Sequence, residues 1–379
     1  MTRRELALRS PLAAALTRAL PARAADLKLS RYELFAVRVP FAERVREAWT
    51  RSWEHQKRDQ RDYELTFVRL HSAGGLTGIG EAKMPRAQAE QKLKAMMGRE
   101  PKDYLANDDL RGILIAVADL MGKSAGVPVA RLLNPKARTK VQPTWWSQCF
   151  PPALMASEAK LGASLGYRIH KVKARPWEDP IAQAEAICGA IPKSMKVWAD
   201  ANATWATVDK TVEVARELAK FPNYFAIESP FARTNVDGYR ALRKLRRDGK
   251  FPLMIAEHVD AMIVSGELET WTKEGLLDAW IAGAPKLGTY TKTLSDRAAA
   301  AKAPVWIEHS IDNGIAQVFQ AHQVAAYEGL QYAIAISHVL ADDCMAERFT
   351  VKDGWFEIGS KPGLGVSLDE AALDKYRIG

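Results

Sequence analysis

The sequence predicts an α/β protein: a modified TIM barrel of the (β/α)7β kind, with an α+β capping domain formed by the N-terminal region and the C-terminal tail. Three observations carry that reading. From Val141 onward, eight short apolar runs alternate with helical stretches. Three of the runs end in an acidic residue, Asp200, Glu228 and Glu257, 28 and 29 positions apart. An interval of that size is one strand plus one helix, which sets three carboxylates at the same end of neighbouring parallel strands. Before Val141 the texture is different, with alternating strand patterns followed by helical ones, as expected of a separate α+β unit.

Residues 1–28 read as an extension. Thr2-Arg3-Arg4-Glu5-Leu6 resembles a twin-arginine export signal, and Ala22-Arg23-Ala24 has the small residues of a cleavage site. Arg9 and Arg18 interrupt the apolar stretch between them, so an ordinary basic amphipathic extension fits equally well. The expected location is cytoplasmic, or exported if the signal is genuine.

The capping domain is expected over 29–138. Tyr32-Glu-Leu-Phe-Ala-Val-Arg-Val and Glu64-Leu-Thr-Phe-Val-Arg-Leu alternate as strands, the second running into a turn at Gly74-Gly75. Between them, Glu43 to Arg61 is highly charged and reads as a mobile loop anchored by Trp49 and Trp53. Residues 86–135 have helical period, with Leu110, Ile113, Leu114, Val117 and Leu120 on one face. The barrel is expected over 139–345, with strands at 141–146, 167–173, 196–200, 223–228, 253–257, 278–282, 304–308 and 331–336. No clear helix follows the eighth strand, so the tail, 346–379, is expected to return to the capping domain.

Composition excludes several functional classes. Apolar residues make up 47% and charged residues 26% of the 379, an ordinary globular balance. The formal charge of +9 is spread along the chain. Its one cluster, Arg243, Lys244, Arg246 and Arg247, reads as a solvated helix face, and no aromatic-interleaved basic motif suggests nucleic acid. A positive field would instead help to attract an anionic substrate. No stretch is long and apolar enough to span a membrane. Three cysteines are too few and too scattered for a disulfide framework or a zinc site.

Three converging carboxylates are hard oxygen ligands, which point to one divalent cation per subunit, Mg²⁺ by preference. In Gly166-Tyr-Arg-Ile-His170-Lys171-Val-Lys173, period-two alternation puts Lys171 and Lys173 on one face. Two close ammonium groups raise the cost of charging both, so one of them is expected to have a lowered pKa and to act as a base. His309 ends another strand candidate and would be a second acid/base, although a lone histidine is more often structural. His258 points away from Glu257 if its strand continues, and is either a substrate contact or a loop residue. Trp145 and Trp146 end the first strand and suggest an apolar or stacked part of the substrate, though Trp146 also suits the core.

In this order and spacing, Gly78-Ile-Gly-Glu81-Ala, Lys171-Val-Lys173, Asp200-Ala-Asn202-Ala-Thr-Trp205, Ile227-Glu228-Ser-Pro230, Ala256-Glu257-His258 and Pro362-Gly-Leu-Gly365 resemble the enolase superfamily. The resemblance runs from Leu29 to the C-terminus and falls in the mandelate racemase and muconate lactonizing branch. The third-ligand segment is more similar to the mandelate racemase and acid-sugar dehydratase group. It implies a shared first step: Mg²⁺ on Asp200, Glu228 and Glu257 holds a small-molecule carboxylate, Lys173 removes its α-proton, and the metal stabilises the enediolate. Lys171 would tune Lys173, Asn202 would support the metal site, and Glu347 falls near a glutamate acid of the group, although a surface glutamate fits that position equally well. The resemblance also implies a homo-oligomer, a dimer or an octamer.

Two departures shape the expected reaction. Where relatives carry a sixth-strand base, this chain has Gly283, and the aspartate that would orient His309 in a dyad is missing. A dehydratase needs one base and one acid, which Lys173 and His309 supply without a dyad, so dehydration of an acid sugar or hydroxy acid is the expected reaction. Racemisation or epimerisation, which needs two matched bases, comes second. A non-catalytic metal-binding relative is the reading that Gly283 keeps open.

Overall fold

The structure, a computed structural model, describes residues 26–52, 60–283, 287, 289–308, 311 and 313–378. The candidate export segment, Trp53 and His309 lie outside the described residues.

Four strands build the capping sheet, in the order Arg377–Ile378, Leu29–Pro40, Asp62–Ser72 and Thr77–Glu81. Strand β1 (Leu29–Pro40) pairs antiparallel with β2 (Asp62–Ser72), and β2 with β3 (Thr77–Glu81). The tail returns as expected, with β13 (Arg377–Ile378) added to the free edge of β1. The helix Ile113–Ala125 lies directly on β3, and the two glycines of the Gly78-Ile-Gly motif make this possible. A Cβ on Gly78 would stand 2.1 Å from the Ala116 carbonyl oxygen. From inside that helix Asp119 accepts the amides of Ile79 at 2.9 Å and Leu364 at 2.7 Å, joining sheet, helix and tail in one buried contact.

The expected loop after β1 is in part a helix, Glu43–Arg51. Its charges hide a narrow apolar stripe: Val45 and Trp49, one turn apart, are its buried residues. Trp49 stacks on Phe41 with ring centroids 4.1 Å apart and reaches Trp146 at 6.1 Å. Only two of nine residues are needed to seat this helix, which is why composition alone reads as loop.

The barrel comprises β4 (Lys140–Ser147), β5 (Ile169–Lys173), β6 (Lys196–Asp200), β7 (Tyr224–Glu228), β8 (Met254–His258), β9 (Ala279–Gly283), β10 (Val305–Glu308) and β11 (Tyr332–Ala335). Each is parallel to the next, and β11 pairs with β4 to close the ring. A short β12 (Phe356–Glu357) runs antiparallel along β4. Aromatic side chains fill the interior. Trp306 stacks on Tyr332 at 4.2 Å, meets Trp198 edge-on at 4.4 Å, and donates its indole N–H to Thr144 Oγ1 at 3.2 Å. With that layer filled, the polar groups of the same faces collect at the C-terminal mouth.

Candidate active site

Strand register decides which side chains meet. Lys173 stands level with Asp200, and Asp200 with Glu228. The pleat therefore turns Lys171, Lys173, Asp200 and Glu228 to one interior surface, as the sequence implied. Lys171, fully buried, is the hub. Its Nζ is 2.9 Å from Glu228 Oε1 and 3.2 Å from Asp200 Oδ2, and it also donates to Glu308 at the end of β10. Lys173 donates to Asp200, with its ammonium 6.0 Å from the ring centroid of Trp146.

These contacts set the protonation states. Burial alone would lower the Lys171 pKa, but Glu228, Glu308 and Asp200 outweigh it and raise it. Of the two lysines, Lys171 is therefore not the one with a lowered pKa, because carboxylates surround it. Burial opposes charge on Asp200, yet Lys173 and Lys171 hold its carboxyl well below the usual range. Glu308 is lowered in the same way, against burial, by Lys171, Lys173 and His258. Glu228 moves the other way: burial and the Asp200 charge raise it despite Lys171 and His258. The half-exposed His258 lies 3.2 Å from Glu228 Oε1. Burial would lower its pKa, but Glu228 and Glu308 lift it above the usual imidazole range.

Among the described residues, Glu228, His258 and Glu308 bring three ligand atoms within 4.8 Å of one another. Glu228 Oε2 is buried with no hydrogen-bond partner, an arrangement that a cation would satisfy. Three carboxylates around one ammonium supply the hard oxygens that Mg²⁺ takes. In the metal-free protein the raised pKa of His258 makes it a hydrogen-bond donor to Glu228.

The enolase C-terminal domain-like family model matches residues 154–372, most of the barrel together with the tail. The chain belongs to the enolase superfamily, in its mandelate racemase and muconate lactonizing branch. Curated relatives include the D-gluconate dehydratase of Thermoproteus tenax, 23% identical over 355 residues, covering 82% of this chain and 69% of that one. The chloromuconate cycloisomerase of Cupriavidus pinatubonensis is 24% identical over 347 residues, covering 82% of this chain and 90% of its own. Among solved structures, the N-succinyl Arg/Lys racemase of Bacillus cereus superposes with a TM-score of 0.74 at 19% identity, over 93% of this chain and 98% of that one. A dehydratase, a cycloisomerase and a racemase are thus all similar to this chain, and identities near these values do not separate the three reactions.

Within this enolase-superfamily site, three expected residues fall elsewhere. Glu228 stands level with Ala256, so Glu257 is one step out of register with the other two carboxylates. The pleat turns Glu257 away from the interior and brings in His258. The Glu257 carboxylate instead accepts from Ser229 Oγ at 2.6 Å, the His258 amide at 2.7 Å and the Tyr239 hydroxyl. Trp145 is displaced by the same alternation. It pairs with His170, the outward neighbour of Lys171, and stacks on His338 at 3.4 Å, so Trp146 is the tryptophan beside the lysines. Glu347 belongs to the tail, where it accepts the Ser367 amide at 2.7 Å and lies 3.3 Å from Lys361.

Asn202 is where the sequence implied, with its amide N–H 2.9 Å from Asp200 Oδ1. Sequence reasoning missed the inward reach of Glu308, although its position directly before His309 at a strand end was a usable signal. It also missed what faces Gly283. There Asp260 accepts the Gly283 amide at 2.8 Å and the Tyr290 hydroxyl, and nothing in the sequence links those three positions. Gly283 also lines a cleft of about 850 Å³ shared with Glu81, Lys83, Asp108 and Arg111 of the capping domain. Lys83 Nζ spans the cleft wall, 3.0 Å from the Ile311 carbonyl oxygen and 3.1 Å from Glu81.

Proposed function

We propose that this protein is a Mg²⁺-dependent enzyme that removes the α-proton of a carboxylate substrate and expels a hydroxyl group, as a dehydratase of an acid sugar or hydroxy acid. The observation that carries the reading is the Lys173–Asp200 pair placed beside the orphaned oxygen of Glu228. Asp200, Glu228 and Glu308 would hold the ion. When bound, it would supply Lewis-acid stabilisation of the negative charge that grows on the substrate carboxylate.

The chain's own residues divide the remaining work. Lys173 Nζ, at the barrel mouth, takes the α-proton in its neutral amine form, and Asp200 orients it. Lys171 keeps the carboxylates charged and compact from below. His258, held protonated by Glu228 and Glu308, stands at the mouth as donor to the departing hydroxyl, the role that the sequence suggested for His309. Gly283 disfavours the alternative, racemisation, because a glycine at that strand end supplies no matched second base of its own.

Proton NMR in D₂O with Mg²⁺, run against a panel of acid sugars and 2-hydroxy acids, tests the proposal. Loss of the α-proton signal with a 2-keto-3-deoxy product, abolished in Lys173→Ala, is the expected result. Exchange with inversion and no product would replace the dehydratase by a racemase. No exchange from any substrate by a protein that binds Mg²⁺ would favour a non-catalytic relative.

A further inference from the structure

We propose that Arg175 is a positioning residue: it fixes Asp200 through Asn202 and ties that carboxylate to the end of the capping helix Glu43–Arg51. The inference rests on the reading of Asp200 as part of a cation site.

Arg175 lies two residues beyond Lys173 and is 1% exposed. Its Nε and Nη2 donate to Asn202 Oδ1 at 3.0 and 2.7 Å, a fork closed on one oxygen. Its Nη1 donates to Gln148 Oε1 at 2.7 Å and to the Ser52 carbonyl oxygen at 3.2 Å. One guanidinium thus gathers the segments that follow β4, β5 and β6, and adds the residue that ends the capping helix. Ser52 receives a second bond from the Trp177 indole N–H at 3.2 Å.

The consequence falls on Asp200. Asn202 sits at φ 47°, in the left-handed region that asparagine tolerates through local side-chain bonding. With its Oδ1 taken by Arg175, the Asn202 side chain presents Nδ2 to Asp200 Oδ2 at 3.4 Å, while its backbone N–H holds Asp200 Oδ1 at 2.9 Å. Both carboxylate oxygens are oriented, and the Asn202 amide cannot flip without losing the fork. Burying a guanidinium is costly unless its donors are matched. These hydrogen bonds run to neutral oxygens, an arrangement suited to holding geometry, while the guanidinium reaches Asp200 only through a longer-range Coulomb attraction and leaves its oxygens to Lys173 and a metal ion.

The test is a double-mutant cycle on the full chain with Arg175→Lys, Asn202→Ala and both together. It is read by Mg²⁺ titration calorimetry, and by thermal unfolding in the metal-free protein with and without Asp200→Asn. Each single variant should weaken Mg²⁺ binding by about tenfold, and the double variant no further, because the two act through one contact. In metal-free protein the shifts in Tm should likewise be non-additive and should shrink in the Asp200→Asn background. Unchanged Mg²⁺ affinity in folded variants, or additive effects in the cycle, overturns the proposal. A wild-type protein that binds no Mg²⁺ yet shows the coupled Tm shifts would sink the cation reading and support the clamp. If Arg175→Lys does not fold, Gln148→Ala and Asn202→Ala form the substitute cycle, with the same outcomes.

Discussion

Lys171 Nζ and Glu228 Oε1 lie 2.9 Å apart, both side chains fully shielded from solvent. The ammonium also touches Asp200 and Glu308, so it occupies the middle of the negative charge that a divalent ion would seek. Removing one partner of a buried ion pair leaves the other charge uncompensated, at a cost of about 3–5 kcal/mol. Lys171→Met should therefore destabilise the metal-free protein strongly, and Mg²⁺ should restore more stability to the variant than it adds to wild type. Thermal unfolding with EDTA and with Mg²⁺ measures both. Equal Mg²⁺ gains in the two proteins would refute the competition.

The register of β8 makes a second prediction. Because Ala256 is level with Glu228 and Glu257 is turned away, Glu308→Gln should weaken Mg²⁺ binding by about tenfold or more, since loss of even an outer-shell partner costs about that much. Glu257→Gln should mainly lower Tm, by disturbing the bonds to Tyr239 and Ser229. Calorimetric titration of both variants decides the matter, and the reverse order would return Glu257 to the ligand set.

The barrel was legible in the sequence because its period is long-range and repeated: Lys173, Asp200 and Glu228 follow one another at 27 and 28 positions and end up level. The step to Glu257 is 29, and a single residue reverses the face of a strand. A near-constant interval therefore locates a strand end without fixing the inward side chain. Trp145 was misplaced for the same reason. The helix Glu43–Arg51 was obscured because burying Val45 and Trp49 against Phe41 and Trp146 is a tertiary matter. Arg175 and Asp260 act through partners distant in sequence, which no local pattern reveals.

Two glycines should respond oppositely to a methyl group. At Gly78 a Cβ would stand 2.1 Å from Ala116 O and 2.7 Å from Leu120 Cβ, so Gly78→Ala must push the helix off the sheet and should cost about 1–3 kcal/mol or more. At Gly283 the nearest atoms among the described residues are the Asp260 carboxylate oxygens at 3.6 Å, an ordinary contact, so Gly283→Ala should stay within about 1 kcal/mol. Urea unfolding of both variants checks the contrast. A severe loss from Gly283→Ala would show that the space beside Asp260 is not open.

His322 supplies a pH dependence that does not involve the carboxylate cluster. Its Nδ1 receives the Ala130 amide at 3.1 Å and its Nε2 faces the Leu364 carbonyl oxygen at 3.2 Å. Only the neutral ring protonated on Nε2 satisfies both. Burial pushes its pKa down to about 4, against the opposing bond to Leu364. The unfolded chain takes up this proton near pH 6.5, the ordinary histidine value, while the native state refuses it until about pH 4. The contribution is therefore complete above about pH 6.5 and falls by about 1.4 kcal/mol per pH unit as pH drops toward the folded value. His322→Gln keeps a side chain of hydrogen-bonding capacity but cannot titrate. Its stability deficit relative to wild type, measured by urea unfolding at pH 7.5, 6 and 5, should shrink with each step down. A deficit that stays constant over that range would mean that the folded protein takes up this proton as readily as the unfolded chain, and that the Ala130 contact has been misread.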